Sequence, residues 1–197
     1  NWKGKYILSE KEMREHWIKY RVEENTTLRK KFKNDPQGLK IAEKLLEYET
    51  GKKFWKSNEI CMRHAEGIRS NTPVLAKLWY FWTNHFTISD TQSLASFSTG
   101  AYQREFIRAN MDKKFETMAI EATIAWPMMM HLDNKDNVGP KSISGKSEWR
   151  RKERKPATIN ENHARELLEL HTVSPKAAYT QDDIIELAKI MTGWRPK

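Results

Sequence analysis

Apolar residues recur at helical spacing along most of the chain, and no useful stretch alternates apolar with polar residues. A helix buries one face with a period near 3.6 residues, whereas a half-buried strand alternates with period two. The pattern therefore predicts an all-α fold, an irregular multi-helix bundle of about seven to nine helices. Three helix-start signals support it: Ser9 three residues before Glu12, Asp35 before Pro36, and Thr180 three residues before Asp183.

Two segments interrupt the helical pattern. Residues 87–100 are rich in serine and threonine, and residues 133–158 contain many loop formers. Between positions 135 and 155 there are eight lysines and arginines but three acidic residues. A long loop inside a compact domain is usually functional or disordered, so residues 133–158 are predicted to form one long basic loop.

A helix that starts at Pro73 is predicted to place His85 on its apolar face. On a helical projection, the ring falls within a broad arc of large apolar residues. That arc is formed by Val74, Leu75, Leu78, Trp79, Trp82 and Phe86. Further predictions from the pattern are caps at Ser57 and Asp112 and an inward-facing Phe115.

The stretch from Ile159 to Thr172 is the most informative part of the chain. Asn160 suits a helix N-cap, and a helix from there places His171 in the middle of a packing face, with His163 at its edge. A buried imidazole needs partners for its ring nitrogens. Two interpretations stay open: a core histidine hydrogen-bonded to a neighbouring helix, or a site residue held on a rigid element.

Composition limits the class of protein. The 197 residues carry a net charge of +9, which is typical of a globular protein with a basic surface. A single domain over residues 1–197 can bury a sufficient core without disulfides, and Cys61, the single cysteine, is predicted to be a small core residue. No apolar run is long enough to span a membrane. The serine-nucleophile elbow, the phosphate-binding glycine loop and the HExxH zinc motif are all missing.

Several motifs in fixed order resemble an uncharacterised bacterial family, catalogued as domain of unknown function 1800. They are Asn160 to Thr172, Tyr179 to Asp183, Thr192 to Pro196, Phe81 to Phe86, and Leu132 to Asn134 leading to Gly139-Pro140. The resemblance covers residues 70–196. It implies an all-helical fold, members that are often exported, and a chain that is either a piece of a longer architecture or an unusually short member. His163 departs from the family pattern, which usually has an aliphatic residue there.

The resemblance and the helical projection together give the candidate site. The candidate catalytic residues are His85, His171, Glu166 and Arg165. The candidate binding residues are Asn84, Asp133, Asn134, Asn160, Glu161, Arg150, Arg151 and Lys152. Asn162 and Glu169 also match the family's pattern. Whether a metal or another cofactor binds is left open.

Three functions fit these residues. Neutral imidazoles at 85 and 171 can support acid–base or metal-assisted chemistry. Alternatively, the basic loop 135–155 can bind an anionic polymer, with Trp149 adding stacking. The third function is a structural or assembly role, in which a partner protein covers tryptophan-rich faces. The tryptophans concerned are Trp79, Trp82, Trp126 and Trp194.

Overall fold

The structure is a computed structural model that describes residues 7–89, 93–143, 145–146 and 158–194. Within these ranges the chain is helical and contains no strand, which confirms the predicted all-α class. None of the described helices is both long and apolar enough to cross a membrane. The chain forms two compact units, residues 1–83 with 89–111 and residues 84–88 with 112–197. Because contact density does not establish independent folding, the single-domain description stays a prediction.

The first unit is a set of packed helices joined by short connections. A capping box starts its first helix as predicted, since Ser9 Oγ accepts from the Glu12 N–H and the Glu12 carboxylate accepts from the Ser9 N–H. Asp35 likewise accepts from the N–H of Gly38. The helices are α1 (Glu10–Val22), α2 (Arg29–Lys31), α3 (Pro36–Thr50), α4 (Lys52–Arg69), α5 (Pro73–His85) and α6 (Ser93–Tyr102), with a π-helical turn (Glu23–Leu28) between α1 and α2 and, after α6, a π-helical turn (Gln103–Ile107) and a 3₁₀ turn (Arg108–Asn110).

Helix α6 lies where the sequence predicted a loop. Its position is explained by burial, because Phe97, Ala101 and Tyr102 are almost completely removed from solvent. Phe97 and Ala101 pack with Met13 and Trp55 in the main core cluster of this unit. Apolar burial here outweighs the weak helix propensity of a Ser- and Thr-rich segment.

Three other predictions for the first unit are wrong. Helix α4 begins at Lys52, so Ser57 lies inside it and does not cap it. Cys61 is exposed and is not a core residue. In α5 the buried face contains Ala76, Trp79 and Thr83, so the predicted apolar arc is rotated, and Val74, Leu75 and Leu78 are exposed instead. An apolar helix offers several plausible packing faces, and only its neighbours select one.

The second unit contains the segment that carries the family motifs. Thr180 forms the predicted capping box with Asp183, and Gly193 has the positive φ of +78° expected of a residue that ends a helix. Phe115, which was predicted to be buried, is 41% exposed, and Asp112 does not cap the helix that starts at Phe115. The elements are α7 (Phe115–Ile124), α8 (Trp126–His131), a 3₁₀ turn (Asn134–Asp136), α9 (Asn162–Glu166), a π-helical turn (Leu167–Thr172) and α10 (Gln181–Ile190).

Candidate functional site

The site helix begins at Asn162, one residue later than an N-cap at Asn160 predicts. Asn160 still acts as a cap, because its Oδ1 accepts from the N–H of Asn162 at 3.0 Å. After Glu166 the α-helix continues as a π-helical turn, in which Thr172 Oγ1 donates to the carbonyl of Leu167 at 2.7 Å. π-Helical turns are rare in proteins, and those that occur often lie at functional sites. This turn carries His171.

His85 and His171 come together, as the helical projection anticipated. Their ring centroids are 6.0 Å apart. His171 is 6% exposed, whereas His85 is half-buried. The contact is reciprocal: His85 Nε2 lies 2.9 Å from the carbonyl oxygen of His171, and His171 Nδ1 lies 2.8 Å from the carbonyl oxygen of His85. Two hydrogen bonds therefore join the end of α5 to the π-helical turn.

These bonds fix the tautomer of each ring. A carbonyl oxygen only accepts, so the hydrogen must lie on Nε2 of His85 and on Nδ1 of His171. The other ring nitrogen of a neutral His171, Nε2, then carries a lone pair. Burial lowers the pKa of His171, and this effect outweighs the bond to the His85 carbonyl, which favours the charged form. His171 is therefore a neutral imidazole at pH 7.

His163 is the most deeply buried histidine of this unit, at 1% exposed. Its Nδ1 has no hydrogen-bond partner among the described residues. Burial lowers the pKa of His163 to about 4, and the nearby His171 and His131 disfavour its charged form further. Burial also lowers the pKa of His131. The sequence had placed His163 at the edge of the packing face, but the structure places it in the interior.

Four asparagines form a continuous hydrogen-bonded chain beside these histidines. Asn137 is its centre: its side-chain N–H groups donate to Asn134 Oδ1 at 3.1 Å and to the carbonyl of Ala188 at 2.8 Å, and its Oδ1 accepts from the N–H of Asn160 at 3.1 Å. The other bonds run from Asn134 Nδ2 to the carbonyls of Met191 and Trp194, from Asn160 Nδ2 to that of Asp133, and from Asn162 Nδ2 to that of Leu132.

This chain connects three helix ends. Leu132 and Asp133 follow α8, Asn162 begins α9, and Ala188 and Met191 lie at the end of α10. The last carbonyls of a helix have no partner inside it, so the asparagine amides satisfy groups that would be costly to bury alone. The amide hydrogens of Asn134 and Asn137 are all donated to protein acceptors.

Arg165 belongs to a polar network on the surface of the same helix. It forms ion pairs with Glu161 at 3.1 Å and Glu169 at 3.4 Å, and it donates to Gln181 Oε1 at 2.9 Å. Gln181 in turn donates to Glu161 at 2.6 Å. The guanidinium therefore joins α9 to the first residue of α10. Glu166, the other candidate on this helix, is half-buried and lies outside this network.

The remaining candidates are separate from the histidine pair. Asn84 is exposed on α5. Asp133 adopts a left-handed backbone conformation with φ 57°, and its carboxylate accepts from Lys135 at 2.8 Å. Arg150, Arg151 and Lys152 lie outside the described residues, as does Trp149. Binding by the basic loop stays a prediction.

An apolar groove of about 490 Å³ also borders the π-helical turn. Helix α7 forms one wall and α10 with Trp194 forms the other, while Leu167 and Thr172 of the turn also line it. Its most exposed apolar side chains are Ile190, at 68%, and Ile120, at 51%. A groove walled by two helices whose large side chains remain in solvent is typical of a binding surface.

Sequence reasoning missed this groove and missed the central asparagine. The groove follows from Phe115 and Ile190 facing solvent, which periodicity cannot reveal. Asn137 was read as a loop former, although its spacing of three from Asn134 on a 3₁₀ turn places both amides on one side. His131 was also given no place in the predicted site, and Asn162 was named only as a match to the family's pattern.

No group of three or more histidine, cysteine, aspartate or glutamate side chains is arranged to hold a metal within the described ranges. A search of curated proteins and a search of solved structures each found no match to this chain. A family model described as "Protein of unknown function (DUF1800)" matches residues 8–197. The chain therefore belongs to this uncharacterised family.

Proposed function

We propose that the second unit is a protein-binding module, in which the apolar groove between α7 and α10 receives an amphipathic helix with basic flanks. The observation that carries the proposal is the groove itself, about 490 Å³ in volume, with five large apolar side chains at least 40% exposed along it. These side chains are Phe115, Ile120, Ile124, Ile190 and Trp194. Monomers rarely expose so many neighbouring apolar groups without a partner.

The spacing of the lining residues favours a helix as the occupant. Leu187, Ile190 and Met191, three and four positions apart at the end of α10, form one stripe, and Trp194 lines the groove from beyond the helix end. On the opposite wall, Ala119, Ile120 and Thr123 follow Phe115 at comparable spacing. Two such stripes leave the space that a third helix fills when ridges pack into grooves.

Charge favours basic flanks on that helix. The charged residue in the lining is Glu116, an acid. A lysine or arginine beside the apolar stripe of the partner would therefore lie close to this carboxylate.

The test uses a fluorescent, fourteen-residue leucine–lysine peptide designed as an amphipathic helix, and anisotropy to measure its binding. Ile190→Lys should weaken binding at least about tenfold, because a charge replaces a central apolar contact. Ile68→Lys is the matched control, since Ile68 is 80% exposed on α4 and does not line the groove. The same peptide with glutamate in place of lysine should bind more weakly.

Equal losses in the two lysine variants would refute the groove as the binding surface, because they would reflect only added positive charge. Equal binding of the lysine and glutamate peptides would leave the apolar groove in place but overturn the basic flanks. Undetectable binding of either peptide at the solubility limit would overturn the proposal as a whole.

A second candidate function is general-base chemistry at His171. It is supported by the hydrogen bond from Nδ1 to the His85 carbonyl, which leaves the Nε2 lone pair available, and by the lowered pKa that keeps this ring neutral. Hydrolysis of p-nitrophenyl acetate at pH 7 is a suitable probe. A rate above buffer that is lost in His171→Gln but kept in His64→Gln would support it, since His64 is an exposed histidine. Equal rates in the two variants would contradict it.

A further inference from the structure

We infer that the first unit contains a binding site for a phosphate group, either free or as a monoester, in a polar cavity of about 340 Å³ between the end of α4 and the start of α5. Six of its eight lining residues are polar. The polar lining residues are Glu66, Arg69, Ser70, Asn71, Thr72 and Arg108. Two guanidinium groups therefore face one carboxylate in this cavity.

The carboxylate is already engaged by the protein. Glu66 Oε1 accepts from Arg108 at 3.0 Å and from the Ser70 hydroxyl at 3.4 Å. Arg108 is also stacked over the ring of Trp79, with 5.3 Å between Cζ and the ring centroid. These contacts hold one guanidinium in a fixed position, which lowers the entropy cost of binding an anion.

Arg69 supplies a second positive charge that is available to a ligand. It is exposed at the rim of the cavity, and its side chain has no hydrogen-bond or ion-pair partner among the described residues. Because the carboxylate of Glu66 offsets one of the two arginines, the cavity keeps an excess positive charge. Planar guanidinium groups match the geometry of phosphate oxygens.

The chain between α4 and α5 adds hydrogen-bond donors. Thr72 N–H donates to Ser70 Oγ at 3.0 Å, and the hydroxyls of Ser70 and Thr72 are 3.1 Å apart. This compact turn leads directly into α5, a thirteen-residue helix with no acidic residue in its first turn. No acidic residue in that first turn opposes an anion in the adjacent cavity.

The directions of the donors around the cavity favour a phosphate over a carboxylate. Donors come from three directions: α4 through Arg69, the turn through Asn71 and Thr72, and the segment after α6 through Arg108. A tetrahedral oxyanion can accept from all three at once, whereas a planar carboxylate presents only two oxygens. The volume also leaves room for a small organic group attached to the phosphate.

The test is isothermal titration calorimetry of the whole chain with inorganic phosphate and, in a second arm, with O-phospho-L-serine. The control ligand is L-serine, which lacks the phosphate group. Arg69→Gln should weaken phosphate binding about tenfold, because it removes charge-assisted hydrogen bonds without disturbing a described contact. Arg29→Gln is the matched control, since it removes the same charge from the exposed surface of the same unit. Circular dichroism checks that each variant is folded.

Tighter binding of O-phospho-L-serine than of inorganic phosphate would identify a monoester as the ligand, and the reverse would identify free phosphate. Equal effects of Arg69→Gln and Arg29→Gln would overturn the site, because they would reflect the net charge of the protein alone. Binding of L-serine as tight as that of its phosphate ester would overturn it as well, as would the absence of heat with both phosphate ligands.

Discussion

Protonation of His163 should be one of the main ways in which acid destabilises this protein. The side chain is 1% exposed, and burial lowers its pKa to about 4 from the ordinary histidine value of 6.5. The His163 ring therefore binds a proton near pH 6.5 in the unfolded chain but only near pH 4 in the folded protein. The stability contributed by the neutral ring is fully present above pH 6.5 and is lost as the pH falls toward 4.

The size of the effect follows from the two pKa values. Each unit of difference corresponds to about 1.4 kcal/mol when the proton is bound in only one state. Integration of the proton uptake gives a loss of about 2 kcal/mol at pH 5 and about 3 kcal/mol at pH 4, relative to pH 7. The lowered pKa values of His171 and His131 act in the same direction.

The assay is urea unfolding of the wild type and of His163→Asn at pH 7, 6, 5 and 4, followed by circular dichroism. Asparagine does not titrate, so the difference in unfolding free energy between wild type and variant should shift by about 3 kcal/mol toward the variant on going from pH 7 to 4. Other titrating groups are common to both proteins and cancel. His64→Asn, at an exposed histidine, is the control.

A shift below about 1 kcal/mol would refute the reasoning, because it would mean that the folded protein accommodates the charged ring at little cost. A shift toward the wild type would refute it more strongly, since the folded protein would then bind the proton better than the unfolded chain. If the variant is already less stable than the wild type at pH 7, that loss reflects the cavity left by the smaller side chain. It does not affect the change with pH in the difference between the two proteins.

Three further substitutions test the second unit, each by urea unfolding at pH 7. Asn137→Ala should cost about 3 kcal/mol, because it leaves the Ala188 carbonyl and the Asn160 N–H buried without their partner; a cost below about 1 kcal/mol would mean that water replaces the amide. Thr180→Ala should cost about 1 kcal/mol through loss of the capping box that starts α10, and Thr180→Ser should restore most of it. Gly193→Ala should cost about 1 kcal/mol because of the φ of +78°. No atom lies within 4 Å of an added Cβ, so no clash contributes to this cost. A neutral result would show that the backbone relaxes there.

The polar cluster around the 160–172 segment serves the fold in every contact that the structure shows. The asparagine amides bond to carbonyls at helix ends, the two histidines bond to each other's carbonyls, and Arg165 joins two helices. Buried polar groups that are fully hydrogen-bonded specify one arrangement of the elements, because every alternative leaves some of them unpaired. This explains how a motif rich in polar residues can be structural. It also leaves the exposed apolar groove as the surface best suited to a partner.

The sequence by itself determined the features that depend on neighbours along the chain. Two capping boxes and the Asp35 cap before Pro36 were predicted, because each involves atoms within a few residues of one another. The all-α class followed for the same reason, since periodicity is a local signal. The contact between His85 and His171 was an assumption of the sequence analysis. A helical projection places a residue on one face of its helix but does not show which other helix packs against that face.

Tertiary structure decided which faces are buried and where the open groove lies. Burial of Phe97, Ala101 and Tyr102 made a helix of a Ser- and Thr-rich segment, and packing turned α5 so that Leu78 is exposed and Thr83 is buried. Phe115 became a wall of the groove for the same reason. Burial free energy is set by contacts between residues far apart in the chain, and it exceeds the small differences in local propensity that a sequence pattern can register.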